Sequence, residues 1–424
     1  MIKRITLFAS FGLACLGAFA QDMNYTRQLV EKLSSEEFHG RGYVNKGDSI
    51  AAVYLATEMK SIGLKGFSDN YYQSYATSIN TYPANPKLIL DGKELVDASE
   101  YIVNPNTKSC VGESELIWIT KDVLTNSRVL GDFMKKDHSN SFLAIDSTGL
   151  NNKDLYNFAQ SMLKKNVFDA KGIVLIDGKL KFSARTQTVV YTTFMVKPDV
   201  ISSDAKKITY DIKSEFIEEY QTQNIVGYLP GKSDTCIVFS AHYDHLGHFG
   251  DNMYPGANDN ASGVAMVLNL AKHFKSLKKK PNYTLVFALF SGEEAGLLGS
   301  KYYAENPLVS LSKTKINLNF DMVATGSEGI FVINGKMVPE EMAKFEAINK
   351  EKEYVFKMFG TGESSSSDHA SFHEKGVKAV FFYTHGDNSD YHETTDTADK
   401  LPYTQFEGMF KLVRDYTNGK ITRK

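Results

Sequence analysis

Cysteine is scarce in this sequence, with three residues among 424. Cys15 lies in an N-terminal segment that we expect to be cleaved off, so Cys110 and Cys236 are the thiols of the mature chain. At most one disulfide can therefore form, which an exported protein would permit. The segment "TCIVFSAH" resembles a core strand, which favours a buried free thiol at Cys236 and leaves the pairing open.

Charge of one sign and long apolar runs are also lacking. The chain has 48 basic and 50 acidic residues, a formal net charge of −2, and no long run of like charge. This balance gives no indication of binding to nucleic acid or to a membrane surface. After the N-terminus, no stretch is long and apolar enough to cross a bilayer, so we expect no stable membrane span once the signal is removed.

The first twenty residues, "MIKRITLFASFGLACLGAFA", have the character of a secretory signal. A basic start precedes an apolar stretch and a small-x-small ending at Ala18-Phe19-Ala20, which predicts cleavage before Gln21. A membrane anchor is disfavoured because the apolar core is short for a span. Lipidation at Cys15 is disfavoured because "GLAC" lacks the usual apolar residue three places earlier. We expect an exported protein, periplasmic or extracellular.

The remaining chain divides by its pattern into two parts. From about residue 224, strand-like and helix-like runs alternate, which predicts an α/β fold with a mixed, largely parallel sheet flanked by helices. Residues 86–215 instead contain short strand-like runs bounded by Gly, Asp or Asn, with one helix, "LYNFAQSMLKK". We therefore predict a catalytic domain from 21–85 and 216–424, interrupted by a β-rich inserted domain at 86–215.

Polar side chains follow several of the predicted buried strands. The stretch "TLVFALFSGEEAGLLGS" sets Glu293 and Glu294 directly after an apolar run, where two adjacent carboxylates repel each other and resist desolvation. Other strand-end or loop segments contribute further candidates: His242 and Asp244 in "SAHYDHLG", Asp259 in "PGANDNASG", Asp321 in "INLNFDMV", and Tyr391 and His392 in "SDYHETTDT". Sites in open α/β sheets form at the carboxyl ends of strands, so these side chains are expected to converge.

Two histidines with three or four carboxylates suit a pair of divalent metal ions, and this mixture favours zinc over calcium or magnesium. If Asp259, Glu294 and Asp321 are ligands, their three charges leave two Zn²⁺ ions with one positive charge, which a bound hydroxide would neutralise. Glu293 would then stay outside the metal shell and take a proton.

Each residue alone has an ordinary alternative. A lone histidine such as His242 is usually structural, Asp259 fits a helix N-cap, and the two glutamates fit the first turn of a helix. Asp321 is harder to explain, because an unpaired buried carboxylate is costly. Their joint occurrence at successive strand ends favours the metal site.

Five segments, "AHYDHLG", "GANDNASG", "SGEEAGLLGS", "NFDMV" and "YHETTDT", resemble the secreted co-catalytic di-zinc aminopeptidases, which are relatives of glutamate carboxypeptidase and glutaminyl cyclase. The resemblance covers about 224–424 and the N-terminal "EEFHGRGYVNKGDSIAAVYLATEMKSIGL". Residues 86–215 lie where many members carry a protease-associated insert, a match that depends on position and β-rich character.

The resemblance implies a role for each candidate. His242 and Asp321 would hold one zinc, Glu294 and His392 the other, and Asp259 would bridge them. Glu293 would be the general base beside a metal-bound hydroxide, and Tyr391 would support the developing oxyanion. Asp244 would orient the ring of His242.

The family also supplies expectations for the neighbouring residues. The Asp259–Asn260 peptide is a candidate cis bond, and Asp368 is a candidate support for the site. His245 and His248 are interpreted as surface or loop histidines, and His369, His373 and His385 as structural.

Several functions remain open from sequence. The favoured one is removal of N-terminal residues from peptides by an exported zinc aminopeptidase. The alternatives are a glutaminyl cyclase-like transferase with one working zinc, a carboxypeptidase-like relative acting on acidic peptides, and a non-catalytic receptor-like module. The last is disfavoured because every expected ligand and the base are present. The oligomeric state and the side-chain preference of the pocket cannot be read from the sequence.

Overall fold

The computed structural model describes residues 22–387 and 390–421, so the predicted signal peptide lies outside the described residues. The helices are α1 Met23–Leu33, α2 Gly47–Ile62, α3 Lys121–Thr125, α4 Ser127–Met134, α5 Lys153–Ser161, α6 Gly263–Ser276, α7 Leu298–Glu305, α8 Pro339–Lys352, α9 His369–Glu374 and α10 Phe406–Ile421. The strands are β1 Lys65–Gly66, β2 Tyr72–Thr81, β3 Lys87–Leu90, β4 Lys93–Glu94, β5 Tyr101–Val103, β6 Cys110–Trp118, β7 Ser141–Asp146, β8 Gly172–Ile176, β9 Thr192–Val196, β10 Lys207–Ile212, β11 Glu215–Leu229, β12 Cys236–His242, β13 Gly247–Phe249, β14 Asn252–Tyr254, β15 Thr284–Phe290, β16 Thr314–Phe320, β17 Gly329–Ile333, β18 Met358–Gly360 and β19 Ala379–His385.

The larger sheet has the strand order β1-β11-β15-β12-β16-β19-β17-β18, with β2 also pairing with β11. Its four central strands, β15, β12, β16 and β19, run parallel to one another. Strand β11 pairs antiparallel with β15 on one side, and β17 pairs antiparallel with β19 on the other. The predicted α/β class with a mixed sheet and a parallel centre is confirmed.

Both faces of this sheet are covered, which explains its near-continuous apolar strands. In β12, the side chains of Ile237 and Phe239 belong to the core that contains residues of α1, α2, α6 and α10. Val238, on the opposite face, packs in a smaller core with Tyr303 of α7 and Phe372 of α9. Alternate residues of one strand thus anchor opposite helical layers.

Strands between Lys87 and Ile212 form a second sheet, in the order β4-β3-β10-β6-β7-β8-β9-β5. The run β6-β7-β8-β9 is parallel, and three helices accompany it where the sequence pattern predicted one. The two missed helices, α3 and α4, have five and eight residues, which is too short to show a clear helical period. The predicted insert boundaries at 86 and 215, and its protease-associated character, stay predictions.

The two sheets share a packed junction. Strands β2 and β11 pair antiparallel, with Thr81 opposite Glu215, so the chain enters and leaves the second sheet through neighbouring strands. Phe182, from the loop between β8 and β9, packs against Tyr82, Phe249 and Tyr254 at ring-centroid distances of 6.3, 5.1 and 5.3 Å. This loop therefore packs against the β13–β14 pair and the residue that follows β2.

Cys110 and Cys236 are both free thiols in the structure. They lie on β6 and β12, in different sheets, and each sulfur contacts a threonine hydroxyl, at 3.2 Å for Cys110 and 3.3 Å for Cys236. Within residues 22–387 and 390–421, no helix has both the length and the apolar composition required of a membrane span.

Candidate metal centre

Three of the parallel strands end at one place in the fold. His242 is the last residue of β12, and it lies opposite Phe290, the last residue of β15. Asp321 directly follows β16, the other neighbour of β12. Glu293 and Glu294 follow β15 in a turn before α7, rather than within its first helical turn. The convergence predicted from strand ends therefore occurs in the structure.

A glycine and an aspartate shape the turn that carries the two glutamates. Gly292 has φ +69°, a conformation that side chains other than glycine rarely adopt. The carboxylate of Asp244 accepts hydrogen bonds from the backbone N–H groups of Glu293 at 3.1 Å and Glu294 at 3.4 Å. Burial raises the pKa of Asp244 to about 8. Both glutamates are thus held by their backbones, which leaves their side chains free for other partners.

Asp244 contacts the ring of His242 through its backbone rather than through its carboxylate. Nδ1 of His242 donates to the backbone carbonyl oxygen of Asp244 at 3.0 Å, whereas the nearer carboxylate oxygen lies at 3.7 Å. The same residue therefore fixes the ring through its main chain and fixes the glutamate turn through its side chain. Nε2 of His242 is left pointing at Asp259 and Asp321.

Asp259 lies in the irregular segment Ala257–Ser262, immediately before α6, and the Asp259–Asn260 peptide is cis, as expected. The carboxylate of Asp396 accepts hydrogen bonds from the N–H groups of Asn258 at 2.9 Å and Asp259 at 3.0 Å. Asn260 donates from Nδ2 to the carbonyl oxygen of Phe320 at 2.9 Å, which ties the segment to the end of β16.

The carboxylate of Asp259 lies between two groups of ligating atoms. Its Oδ1 is 3.4 Å from Nε2 of His242, which is itself 3.4 Å from Oδ1 of Asp321. Its Oδ2 is 3.4 Å from Nε2 of His392, which is 3.0 Å from Oε2 of Glu294. All five side chains that the sequence predicts as ligands therefore meet here, with Asp259 at the centre.

His245 lies in a loop, as interpreted, but the interpretation as a surface histidine is wrong. It is fully buried, and its Nδ1 lies 2.7 Å from Oε1 of Glu294 and 3.9 Å from Oδ1 of Asp259. Within residues 22–387 and 390–421, two groups of side chains have ligating atoms close enough to hold a metal ion: His242 with Asp259 and Asp321, and His245 with Asp259 and Glu294. Gly256 makes room for this ring, since a Cβ there would lie 2.5 Å from the imidazole.

The chemistry of this cluster fits divalent cations. Oδ1 of Asp321 and Nε2 of both His245 and His392 are buried without hydrogen-bond partners. Burial raises the pKa of Glu293 well above its usual value, and the neighbouring carboxylates of Glu294 and Asp321 add to that rise. Such a concentration of buried acids and unpartnered nitrogens is costly unless cations compensate it.

A small cavity opens beside the cluster. Its volume is about 260 Å³, and its polar lining includes His242, Asp259, Asp321 and Glu293. The rest of its lining is largely apolar and consists of Met322, Ile333, Phe381, Tyr383 and Tyr391, together with Ser366. Tyr391 is 49% exposed, and its ring stacks on that of His392 at a centroid distance of 3.9 Å. Glu293 and Tyr391 thus face the same space.

Arg41 was missed by sequence reasoning, although it lies in the quoted segment "EEFHGRGYV". Its guanidinium is completely buried and donates to backbone carbonyl oxygens of Leu33, Tyr243, Pro255 and Gly256 at 2.7–2.8 Å and of Asp259 at 3.3 Å. Burial lowers the pKa of Arg41 to about 10. One side chain thus joins α1, the strand end after His242 and the Asp259 segment.

The second sheet also contributes to the cluster. The backbone carbonyl oxygen of Phe182 accepts a hydrogen bond from Nδ1 of His392 at 2.8 Å. Sequence reasoning found no chemistry in residues 86–215, because a backbone carbonyl has no sequence signature.

The remaining polar candidates lie at the edge of the site or outside it. Asp368 is buried, which raises its pKa to about 6, but the hydrogen bond to Asp321 comes from the hydroxyl of Ser367, at 2.8 Å. The other histidines have local partners: His369 with the carbonyl oxygen of Ser364, His373 with Glu363 and His385 with Glu328.

The region that contains this site is similar to known proteins. Residues 224–417 match the family model described as Peptidase family M28. Aminopeptidase YwaD of Bacillus subtilis is 29% identical over 177 residues, which are 40% of this chain and 37% of that protein. Leucine aminopeptidase 1 of Leptosphaeria maculans is 23% identical over 382 residues, which are 81% of this chain and 94% of that protein.

A solved structure shares the fold over nearly the whole chain. The zinc aminopeptidase BSAP from Bacillus subtilis superposes with a TM-score of 0.68 at 19% identity, covering 95% of this chain and 96% of that one. Residues 224–417 contain every side chain predicted to bind metal or to act in catalysis. The part of the chain that carries the candidate site thus matches peptidase family M28, a family of hydrolases that act on peptides.

Proposed function

We propose that this protein is an exported, zinc-dependent aminopeptidase that removes N-terminal residues from peptides and holds two zinc ions. The observation that carries the proposal is the position of Asp259, whose two carboxylate oxygens face separate groups of ligating atoms. His242 and Asp321 would hold one ion, and Glu294 and His392 the other. The two relatives in sequence are both aminopeptidases by name, which supports the direction of cleavage.

When bound, zinc polarises a carbonyl oxygen and lowers the pKa of a water molecule. Glu293, which borders the small cavity but is not needed as a ligand, accepts a proton from the attacking water on its carboxylate. The same carboxyl then delivers that proton to the leaving nitrogen. Tyr391, which lines the same cavity, donates its hydroxyl toward the oxygen that gains charge.

The small cavity receives the side chain of the N-terminal residue. Its apolar wall of Met322, Ile333, Phe381 and Tyr383 favours an aliphatic or aromatic group, and about 260 Å³ accommodates one such side chain. His245 acts as a positioning residue, because its ring N–H donates to the Glu294 oxygen that does not face His392. Export is proposed from the signal-like residues 1–20.

The decisive experiment is mass spectrometry of one peptide set incubated with zinc-loaded protein. Loss of residues from the free N-terminus, with close to two zinc ions per chain by elemental analysis, is the expected result. Shortening from the C-terminus would favour a carboxypeptidase-like relative. Cyclisation of N-terminal glutamine without peptide cleavage, with one zinc ion, would favour a glutaminyl cyclase-like transferase.

A further inference from the structure

A large cleft lies between the loop that follows β8 and the cluster of candidate metal ligands. Its volume is about 980 Å³, and Tyr391, His392 and Ala295 form the end nearest the cluster. Three of its lining residues are cationic, namely Lys164, Lys181 and Arg185, and no aspartate or glutamate lines it. We call this space the cationic cleft. Its charge stands out in a chain with slightly more acidic than basic residues.

Arg185 is the cation held most firmly in the cleft. Its backbone carbonyl oxygen accepts a hydrogen bond from the N–H of Asn80 at 2.9 Å, and its guanidinium donates from Nη1 to the carbonyl oxygen of Ala184 at 2.8 Å. Ala184 itself is buried in a cluster with Tyr43, Ile79 and other residues of the larger sheet's layer. The backbone of Arg185 is therefore held in place, and its side chain lines the cleft.

The guanidinium of Arg185 is partly buried, and it forms no ion pair with a carboxylate within the described part of the chain. The charge of Glu294 acts on Arg185, although the Glu294 carboxylate already accepts a hydrogen bond from Nδ1 of His245 at 2.7 Å. A partly desolvated guanidinium with free N–H groups is a strong site for a carboxylate, which it can bind through two parallel hydrogen bonds.

The cleft lies on the substrate's path. Tyr391 borders both the small cavity, which contains Glu293, and the cationic cleft. With the N-terminal side chain in the small cavity, the peptide beyond the scissile bond extends past Tyr391 into the cleft. This step depends on the proposed aminopeptidase function.

We propose that the cationic cleft selects peptides that carry a carboxylate shortly after the scissile bond, with Arg185 as the specificity-determining residue and Lys164 and Lys181 as supporting charges. The carboxylate comes from one of two sources. It is either an acidic side chain in the leaving part or the C-terminus of a very short peptide.

Four peptides separate these sources: Leu-Glu-amide and Leu-Gln-amide differ in a side-chain carboxylate, and Leu-Gly and Leu-Gly-amide differ in a terminal one. For the zinc-loaded full chain, we expect kcat/KM to favour the acidic member of at least one pair by about tenfold or more, mainly through KM. Which pair shows the preference identifies the source.

The variant Arg185→Gln should reduce that preference to within about twofold, and Arg185→Lys should retain part of it, because lysine keeps the charge but loses the fork of N–H groups. The readout is the ratio of kcat/KM between the two peptides of a pair. A general loss of folded or metal-loaded protein lowers both values equally and leaves this ratio unchanged. Lys165→Gln is the matched control, because Lys165 is exposed and follows Lys164 in the chain but does not line the cleft. This variant should leave the ratio of kcat/KM unchanged.

Two results would overturn the proposal in different ways. If wild-type protein cleaves all four peptides with equal kcat/KM, or if Arg185→Gln keeps the full preference, the cleft does not select carboxylates and the aminopeptidase function stands. If zinc-loaded protein cleaves neither the four peptides nor leucine 4-nitroanilide, the proposed aminopeptidase function is wrong. The inference about the cleft, which depends on that function, is then wrong as well.

Discussion

Nδ1 of His392 donates a hydrogen bond to the backbone carbonyl oxygen of Phe182, 210 positions earlier in the chain, at a distance of 2.8 Å. A side chain proposed to hold metal is therefore oriented by the loop between β8 and β9 of the second sheet. Partners of this kind fix the tautomer of a ligating imidazole and strengthen it as a ligand. The second sheet thus contributes to the candidate metal centre as well as to the wall of the cleft.

Truncation of Phe182 tests this coupling. Without its ring between Phe249 and Tyr254, the loop loses its anchor and the carbonyl oxygen shifts away from His392. We expect Phe182→Ala to weaken zinc retention by about tenfold or more, measured by competition with a chromogenic chelator. The control Phe168→Ala removes a buried ring from the second sheet's own core and should lower stability alone. Equal zinc retention in Phe182→Ala and wild type would contradict the coupling.

Glu293→Gln tests the proton transfer. The amide keeps the size of the side chain but cannot accept the proton, so kcat should fall by about 10²–10⁴-fold while the metal content stays at the wild-type level. Elemental analysis and steady-state kinetics on the same preparation are the measurements. Glu305→Gln, an exposed change at the end of α7, is the control and should be fully active. Substantial turnover by Glu293→Gln would remove the residue from the mechanism.

His245 and His248 form a natural pair, because they lie three residues apart, one in the loop after β12 and the other in β13. His245→Ala takes away the N–H donated to Glu294 and should weaken zinc retention by about 10–100-fold. His248→Ala should leave retention unchanged, since its ring packs against His39 at a centroid distance of 5.5 Å, away from the cluster. Equal effects of both variants would show that His245 has no special role.

Arg41→Met should destabilise the fold strongly. The change leaves five backbone carbonyl oxygens without the buried donor that now satisfies them, and we expect a loss of about 3 kcal/mol or more in the free energy of unfolding. Urea denaturation of the metal-free protein measures it. Arg27→Met is the control, because the exposed Arg27 stacks on Tyr403 at 4.4 Å and should contribute about 1 kcal/mol or less.

Glu341 of α8 gives a prediction for acid stability. Burial alone would raise the pKa of its carboxyl, but hydrogen bonds from Lys420, Tyr416 and Lys344 bring it down to about 2. A lowered pKa stabilises the fold above the unfolded-state value of about 4.5, and this contribution is lost as the pH falls from there toward 2. Because the lysines are partly exposed, we expect about 1–2 kcal/mol at neutral pH.

The measurement is the difference in unfolding free energy between wild type and Glu341→Gln as a function of pH. It should be constant above pH of about 5 and shrink toward zero near pH of about 2. Glu346→Gln, an exposed change on the same helix, should follow wild type throughout. A difference that persists unchanged in strong acid would contradict the assignment.

The parallel centre of the sheet and the convergence of five candidate ligands could be predicted from sequence, because the carboxyl ends of neighbouring parallel strands meet at one edge of the sheet. His245 could not, since a histidine between Asp244 and Leu246 has the same local pattern whether it is exposed or buried against Glu294. Arg41 and Phe182 were missed for a related reason. Their roles depend on backbone carbonyl oxygens that are distant in sequence, and such contacts leave no periodicity or motif.

The pairing of Thr81 with Glu215 has a consequence for how this protein can diversify. Recombination at these two adjacent strand ends can exchange everything between them without altering the order of the parallel strands. Under the proposed function, a replacement that reshapes the cleft would change which peptides are accepted, and a replacement segment that presents one carbonyl oxygen to His392 would preserve the orientation of that ring. Selectivity and bond cleavage can therefore evolve at separate rates within one chain.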